Sequence, residues 1–181
     1  MEPLNNNKKK KVLFVVAHKD FRDEEYFITR EVLEKGGVSV KTASSDNSPA
    51  IGVKGGEVEI DIVFSAADPE DYDAIVIAGG RGIRDYFNDP VLKSLVIGFN
   101  NKGKTIAAIC AAPVVLAMAG ILRGKEASAW HTEEDMEYAD LLKREGADFA
   151  KKDIVVDGNI ITARDPESAA EFGKVIVSAI S

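Results

Sequence analysis

One cysteine and two histidines carry most of the reactive chemistry available to this sequence. The cysteine lies in Ala107-Ala108-Ile109-Cys110-Ala111-Ala112-Pro113. Thr105 to Ile109 reads as a buried strand, and Pro113 opens a helix a few residues later. A thiol at a strand-to-helix turn, between the small residues Ala108 and Ala112, has the build of a nucleophile elbow, with alanine where the hydrolase version has glycine. Such a thiol points out at the top of a sheet, near a helix N-terminus whose dipole stabilises a thiolate and lowers its pKa. Backbone N–H groups after the turn can hold an oxyanion. The plainer alternative is an inert thiol filling a strand end, since free cysteine is among the most buried residue types.

Other strings resemble sites and fail on context. Gly98 to Thr105 (GFNNKGKT) matches the P-loop pattern letter for letter. A P-loop leaves a strand and opens a helix, whereas this string leaves a helix and enters a strand, so no helix N-terminus faces a phosphate. Gly79-Gly80-Arg81-Gly82 follows a strand, but Asp85 stands where a dinucleotide loop needs its third glycine, so a tight turn at a site edge is the better reading. Two histidines and one cysteine cannot build a structural zinc site. The acidic run Asp68, Glu70, Asp71 and Asp73 suits a capped loop and lacks the spacing of a calcium loop. Neither a metal nor a cofactor is expected.

The elements that must hold the thiol read clearly. Val12 to Ala17, Asp73 to Ala78 and Thr105 to Ile109 are unbroken apolar runs, the pattern of strands buried on both faces of a parallel sheet. Val38 to Ala43 alternates and suits another strand. Helices are expected over 23–35, 90–100, 113–119, 133–145 and 166–180, several stopped by glycine. Gly55 to Val63 reads as an antiparallel extension with a turn at Gly55-Gly56. Ile154 to Val156 and Ile160 to Ala163 read as a hairpin turning at Asp157-Gly158-Asn159. Strands alternating with helices give an α/β, doubly wound, mostly parallel sheet with helices on both faces. Sites in such sheets sit at the C-terminal strand ends. Here those ends carry Ala17-His18, Gly79-Gly80 and Cys110.

At 181 residues, with 45% hydrophobic and 29% charged residues, the chain suits a single globular domain and excludes a disordered or fibrous one. The expected division is a polar, basic tail over 1–10 and one domain over 11–181. A net charge of −7 argues against nucleic acid, whose binding rests on phosphate neutralisation, and against an anionic membrane surface. The single cysteine allows no internal disulfide and suits a reducing compartment. No apolar run is long enough to span a membrane, and the N-terminus lacks the apolar segment of a signal peptide, so a cytoplasmic location is expected.

The stretches AAICAAP, FRDEEYF (Phe21–Phe27), DAIVIAGG (Asp73–Gly80) and VVDGNIITAR (Val155–Arg164) together resemble the DJ-1/PfpI superfamily. The resemblance runs from about Lys11 to the C-terminus. It implies a flavodoxin-like fold, a homodimer or larger assembly, a reactive Cys110, and a glutamate close to the thiol, matched by Glu25. Helical spacing puts Glu25 in line with Ile28 and Val32 and predicts that it faces inward. A carboxyl beside a thiolate should keep its proton and donate a hydrogen bond, because two close negative charges do not coexist cheaply. The resemblance also maps oxyanion donors to the backbone of Gly80 and Ala111, a histidine partner to His131, and an anion-binding arginine to Arg164. Plain alternatives are a helix-capping Glu25, a loop histidine and a surface ion pair. His18 has no counterpart and reads as a supporting or surface residue. Ala111 stands where some relatives carry a histidine directly after the cysteine.

Three functions follow as expectations. The first is a cofactor-free enzyme acting on reactive dicarbonyls or their adducts, of glyoxalase or deglycase type, with a small carbonyl compound as its partner. Its Cys110 forms a hemithioacetal and its Glu25 moves the proton. The second is a cysteine peptidase or amidase, weakened by Ala111 because a Cys-His pair is the usual activation. The third is a peroxide-sensing stress protein in which Cys110 becomes a sulfinic acid held by Glu25.

Overall fold

A computed structural model describes residues 9–181. Most of the expected N-terminal tail therefore lies outside the described residues. The strands are β1 (Lys11–Val15), β2 (Lys19–Phe21), β3 (Ser39–Ser44), β4 (Ala50–Gly52), β5 (Glu57–Val58), β6 (Ile62–Val63), β7 (Ala74–Ile77), β8 (Thr105–Ile109), β9 (Glu126–Ala127), β10 (Asp148–Phe149), β11 (Ile154–Asp157) and β12 (Ile160–Ala163). The helices are α1 (Asp23–Lys35), α2 (Pro90–Asn101), α3 (Pro113–Met118), α4 (Glu137–Arg144) and α5 (Ala169–Ile180).

Seven strands form one sheet in the order β11-β12-β8-β7-β1-β3-β6. Every neighbouring pair is parallel except the β11–β12 hairpin. Side chains alternate across this sheet, as the two-residue strand period requires. Leu13, Val15, Ile75, Ile77, Ile106 and Ala108 join a core under α2, α3 and α4. Val12, Phe14, Val76, Ala107 and Ile109 join a second core with Leu33 of α1 and Phe172 and Ile176 of α5. Both faces are covered, which explains why these strands read as continuous apolar runs. The expected doubly wound sheet is present, and the order reverses between β1 and β7, which sets a crevice at their C-terminal ends. Among the described residues no helix is long and apolar enough to cross a membrane.

Three local readings need correction. Gly55 to Val63 is not one extension. β5 pairs antiparallel with β4 around Gly55-Gly56, but β6 joins the main sheet, parallel to β3. The helix expected from Glu133 starts only at Glu137. The Thr132 hydroxyl accepts from the Glu134 and Asp135 amides at 3.3 and 3.0 Å, and the Asp135 carboxylate accepts from Glu137 N at 3.0 Å. These side chains occupy amides that a longer helix would use. Pro166 to Ser168 forms a 3₁₀ turn whose Ser168 amide donates to the Asp165 carboxylate, and α5 follows it.

Candidate active site

β8 ends in a residue whose backbone is strained. Cys110 has φ of 64°, in the left-handed region that non-glycine residues rarely adopt. The surrounding chain fixes it there. Its amide donates to Ala163 O and its carbonyl accepts from Trp130 N, each at 2.9 Å. A conformation held against its own preference by flanking hydrogen bonds is the mark of a functional turn. Small neighbours are required: Ala111 and Ala112 are fully packed into the core beside α3.

Glu25 reaches the same point from the first turn of α1. The Arg22 amide donates to Gly79 O at 3.0 Å, and the Gly79 amide donates to Glu25 Oε2 at 2.7 Å. Two hydrogen bonds thus stitch the start of α1 to the end of β7. Gly79 tolerates no side chain, because a Cβ there would lie 2.8 Å from Glu25 Oε2 and 2.9 Å from the Cys110 Cβ. Gly80 has φ of 101°, and a Cβ on it would strike the backbone of Asp20 and Arg22 at 2.5 Å. Glycine is needed at both positions.

The Glu25 side chain is completely buried, and its Oε1 has no aligned hydrogen-bond partner among the described residues. The group facing the carboxyl is the Cys110 thiol. Burial pushes Glu25 up to about 8, against the lowering effect of the Gly79 N–H. Burial and the Glu25 charge also push the Cys110 thiol well above its ordinary value, although the Ala111 and Gly80 N–H groups pull the other way. The lowered thiol pKa expected from a helix dipole is therefore corrected. α3 spans only six residues, and desolvation is the largest cause of the thiol's raised value. The two groups titrate as a pair, and the thiol ionises most easily while Glu25 keeps its proton.

The inward direction expected for Glu25 holds, although the buried stripe is not the one expected. Ile28 is exposed, and the buried face of α1 runs through Glu25, Tyr26, Thr29 and Leu33. The backbone amides of Gly80 and Ala111 are directed at the sulfur. His131 is not brought to Cys110. Its Nδ1 lies 2.9 Å from Ala129 O, its ring packs edge-on against Phe149 at 5.2 Å, and it lines no part of the thiol's cavity. Arg164 is likewise elsewhere. It donates to His131 O, pairs with Asp153 and Asp165, and lines a separate hollow whose other charged groups are all acidic. Nearby carboxylates already meet its charge. His18 sits beside Ser48, 3.3 Å from its hydroxyl, away from the thiol.

Cys110 opens into a cavity of about 470 Å³. Its walls include groups that the sequence reading missed: Arg22, Arg84, Trp130, Glu137 and Tyr138. They come from four separate segments, so no local pattern joins them. Arg84 grips the Glu137 carboxylate with both ends of its guanidinium at 2.7 and 3.0 Å and donates to the Tyr138 hydroxyl at 3.1 Å. Among the described residues no group of three or more His, Cys, Asp or Glu is placed to hold a metal ion.

A mostly parallel sheet with a strained cysteine turn at its crevice defines the class: a flavodoxin-like α/β protein with a cysteine at a strand-to-helix elbow. The sequence profile of the DJ-1/PfpI family matches residues 10–179, and the chain belongs to that family. It is 43% identical over 180 residues to an uncharacterised protein of Methanocaldococcus jannaschii, covering 99% of this chain and 86% of that one. It is 31% identical over 156 residues to a deglycase of Pyrococcus horikoshii, covering 86% of this chain and 90% of the relative. Among solved structures, a ThiJ/PfpI domain protein from Brachyspira murdochii superposes with a TM-score of 0.88 at 30% identity, over 94% of this chain and 96% of that one.

Proposed function

We propose that this protein is a cofactor-free enzyme acting on small reactive dicarbonyls or their adducts. The observation that carries the reading is the buried Glu25 carboxyl facing the Cys110 thiol at the floor of an open cavity. A relative named as a deglycase, similar over most of both chains, supports the same class.

The sulfur adds to an aldehyde carbon. A C–S bond forms, the C=O π bond breaks, and the thiol proton ends on the new oxygen. The Gly80 and Ala111 amides are the donors for that oxygen as its charge develops. Glu25 then removes the proton from the former aldehyde carbon and returns one to the neighbouring carbonyl carbon, while the hydroxyl proton on the first carbon's oxygen passes to the second oxygen. The product is a thioester of a 2-hydroxyacid, which water cleaves to the free acid and the thiol. No oxidant or reductant is consumed. A carboxyl poised near 8 suits this shuttle, because both its forms are populated close to neutral pH.

Methylglyoxal tests the reading. The wild type should consume it and release lactate, while Cys110→Ser and Glu25→Gln should not. Equal loss in wild type and Cys110→Ser would remove the proposal.

Peroxide sensing shares this site, because a protonated Glu25 could also donate to a sulfinate oxygen on Cys110. Its signature is a gain of two oxygens at Cys110 by intact mass after mild peroxide treatment. A peptidase reading finds no support here, since Ala111 follows the thiol and His131 faces Phe149.

A further inference from the structure

Tyr138 stands on the first turn of α4, half-buried, and its ring forms part of the wall of the Cys110 cavity. Its orientation is fixed from two sides. Phe87 and Trp130 meet it edge-on, with ring centroids at 6.1 and 6.2 Å. Its hydroxyl oxygen accepts from Arg84 Nη1 at 3.1 Å, and Arg84 is itself locked on Glu137. Among the described residues the phenol donates its own proton to no acceptor. The hydroxyl is therefore oriented as an acceptor and still has a hydrogen to give. A hydrogen bond received from a guanidinium also polarises the O–H and makes it a better donor.

Apart from the Trp130 indole N–H, whose ring meets Tyr138 edge-on, the other polar side chains on this wall besides the thiol are charged. Arg22 is paired with Glu24, Arg81 with Asp20 and Arg84 with Glu137. Asp135, Glu137 and Glu167 are carboxylates, which accept and do not donate at neutral pH. A vicinal dicarbonyl brings two oxygens. The amides of Gly80 and Ala111 serve the one on the carbon bonded to sulfur. The second oxygen needs a donor of its own.

We infer that the Tyr138 hydroxyl binds the second carbonyl oxygen of a vicinal dicarbonyl whose first carbon is bonded to Cys110. This rests on the thiol adduct of the proposed function and adds its selectivity: compounds with two adjacent carbonyls are held better than simple aldehydes. Arg84 acts through Tyr138 as a positioning residue.

The test is protection of Cys110 from iodoacetamide by two reversible adduct formers, methylglyoxal and propanal, in wild type and Tyr138→Phe. The phenylalanine keeps the ring and removes only the hydroxyl. Losing one hydrogen bond should weaken methylglyoxal protection about tenfold. Propanal, with one oxygen, should protect both proteins equally and serves as the internal control for folding. Equal weakening with both aldehydes, or no change with either, would overturn the inference, as would a wild type that methylglyoxal protects no better than propanal. Lactate release is followed in the same samples. Selective protection without lactate would remove the enzyme reading and leave the role of Tyr138 standing. Lactate release with unchanged protection in Tyr138→Phe would do the reverse.

Discussion

Glu25 and Cys110 face one another across the switch point of the sheet, the carboxyl wholly buried and the thiol open to a cavity on its other side. Burial raises the cost of charge on both groups, and the Glu25 charge raises it further for the thiol. Removing the carboxyl's charge while keeping its shape should free the thiol. Glu25→Gln should therefore move the inflection of iodoacetamide alkylation to lower pH than in wild type. Turnover should fall in the same variant. Faster alkylation with lost turnover separates the acid/base role of Glu25 from mere activation of sulfur.

The same carboxyl makes stability depend on pH. Its folded pKa of about 8 lies above the ordinary value of 4.5. Between those values the unfolded chain has released this proton and the folded chain has kept it. Stability should fall as pH rises through that window and level off above about 8. The amount is on the order of a few kcal/mol. Thermal unfolding of Glu25→Gln should lack this part of the slope and exceed wild type most at the alkaline end.

Gly79→Ala should damage both fold and site. The added methyl meets Glu25, the Ile109 carbonyl and Cys110 within 2.9 Å, and two of those contacts are the reacting groups. Overpacking of this kind costs about 1–3 kcal/mol. Denaturant unfolding should show that loss, and alkylation of the surviving folded protein should lose its wild-type pH profile.

His131→Ala should leave methylglyoxal turnover within about twofold of wild type while lowering stability by about 1–3 kcal/mol, since it deletes a buried ring packed on Phe149. A collapse of turnover without a change in melting temperature would contradict the placement of this histidine.

The sheet was legible because its strands are buried on both faces, so β1, β7 and β8 appear as unbroken apolar runs. The elbow was legible for a related reason. A strand that must turn sharply at Cys110 shows small residues on both sides and a proline soon after. Glu25 was not legible from local pattern. Of the neighbours that spacing assigned to it, Ile28 lies exposed and Val32 is half-buried beside Gly173, while Tyr26, Thr29 and Leu33 turn inward. Its position came from family resemblance. The strands β2, β9 and β10 span two or three residues each, too few to show a period. Arg84 and Tyr138 meet only in three dimensions, 54 positions apart, so their pairing has no trace in the sequence.

The hydrogen bond from the Cys110 amide to Ala163 has a consequence for synthesis. β12 is made after β1, β7 and β8, and until it docks beside β8 the amide of the elbow lacks its Ala163 acceptor. A nascent chain that already displays Cys110, Glu25 and Gly79 still lacks the strut that keeps the thiol in its left-handed pose. The pose of the elbow therefore depends on completion of the sheet, and a chain that stops before β12 lacks one of the two hydrogen bonds that hold it.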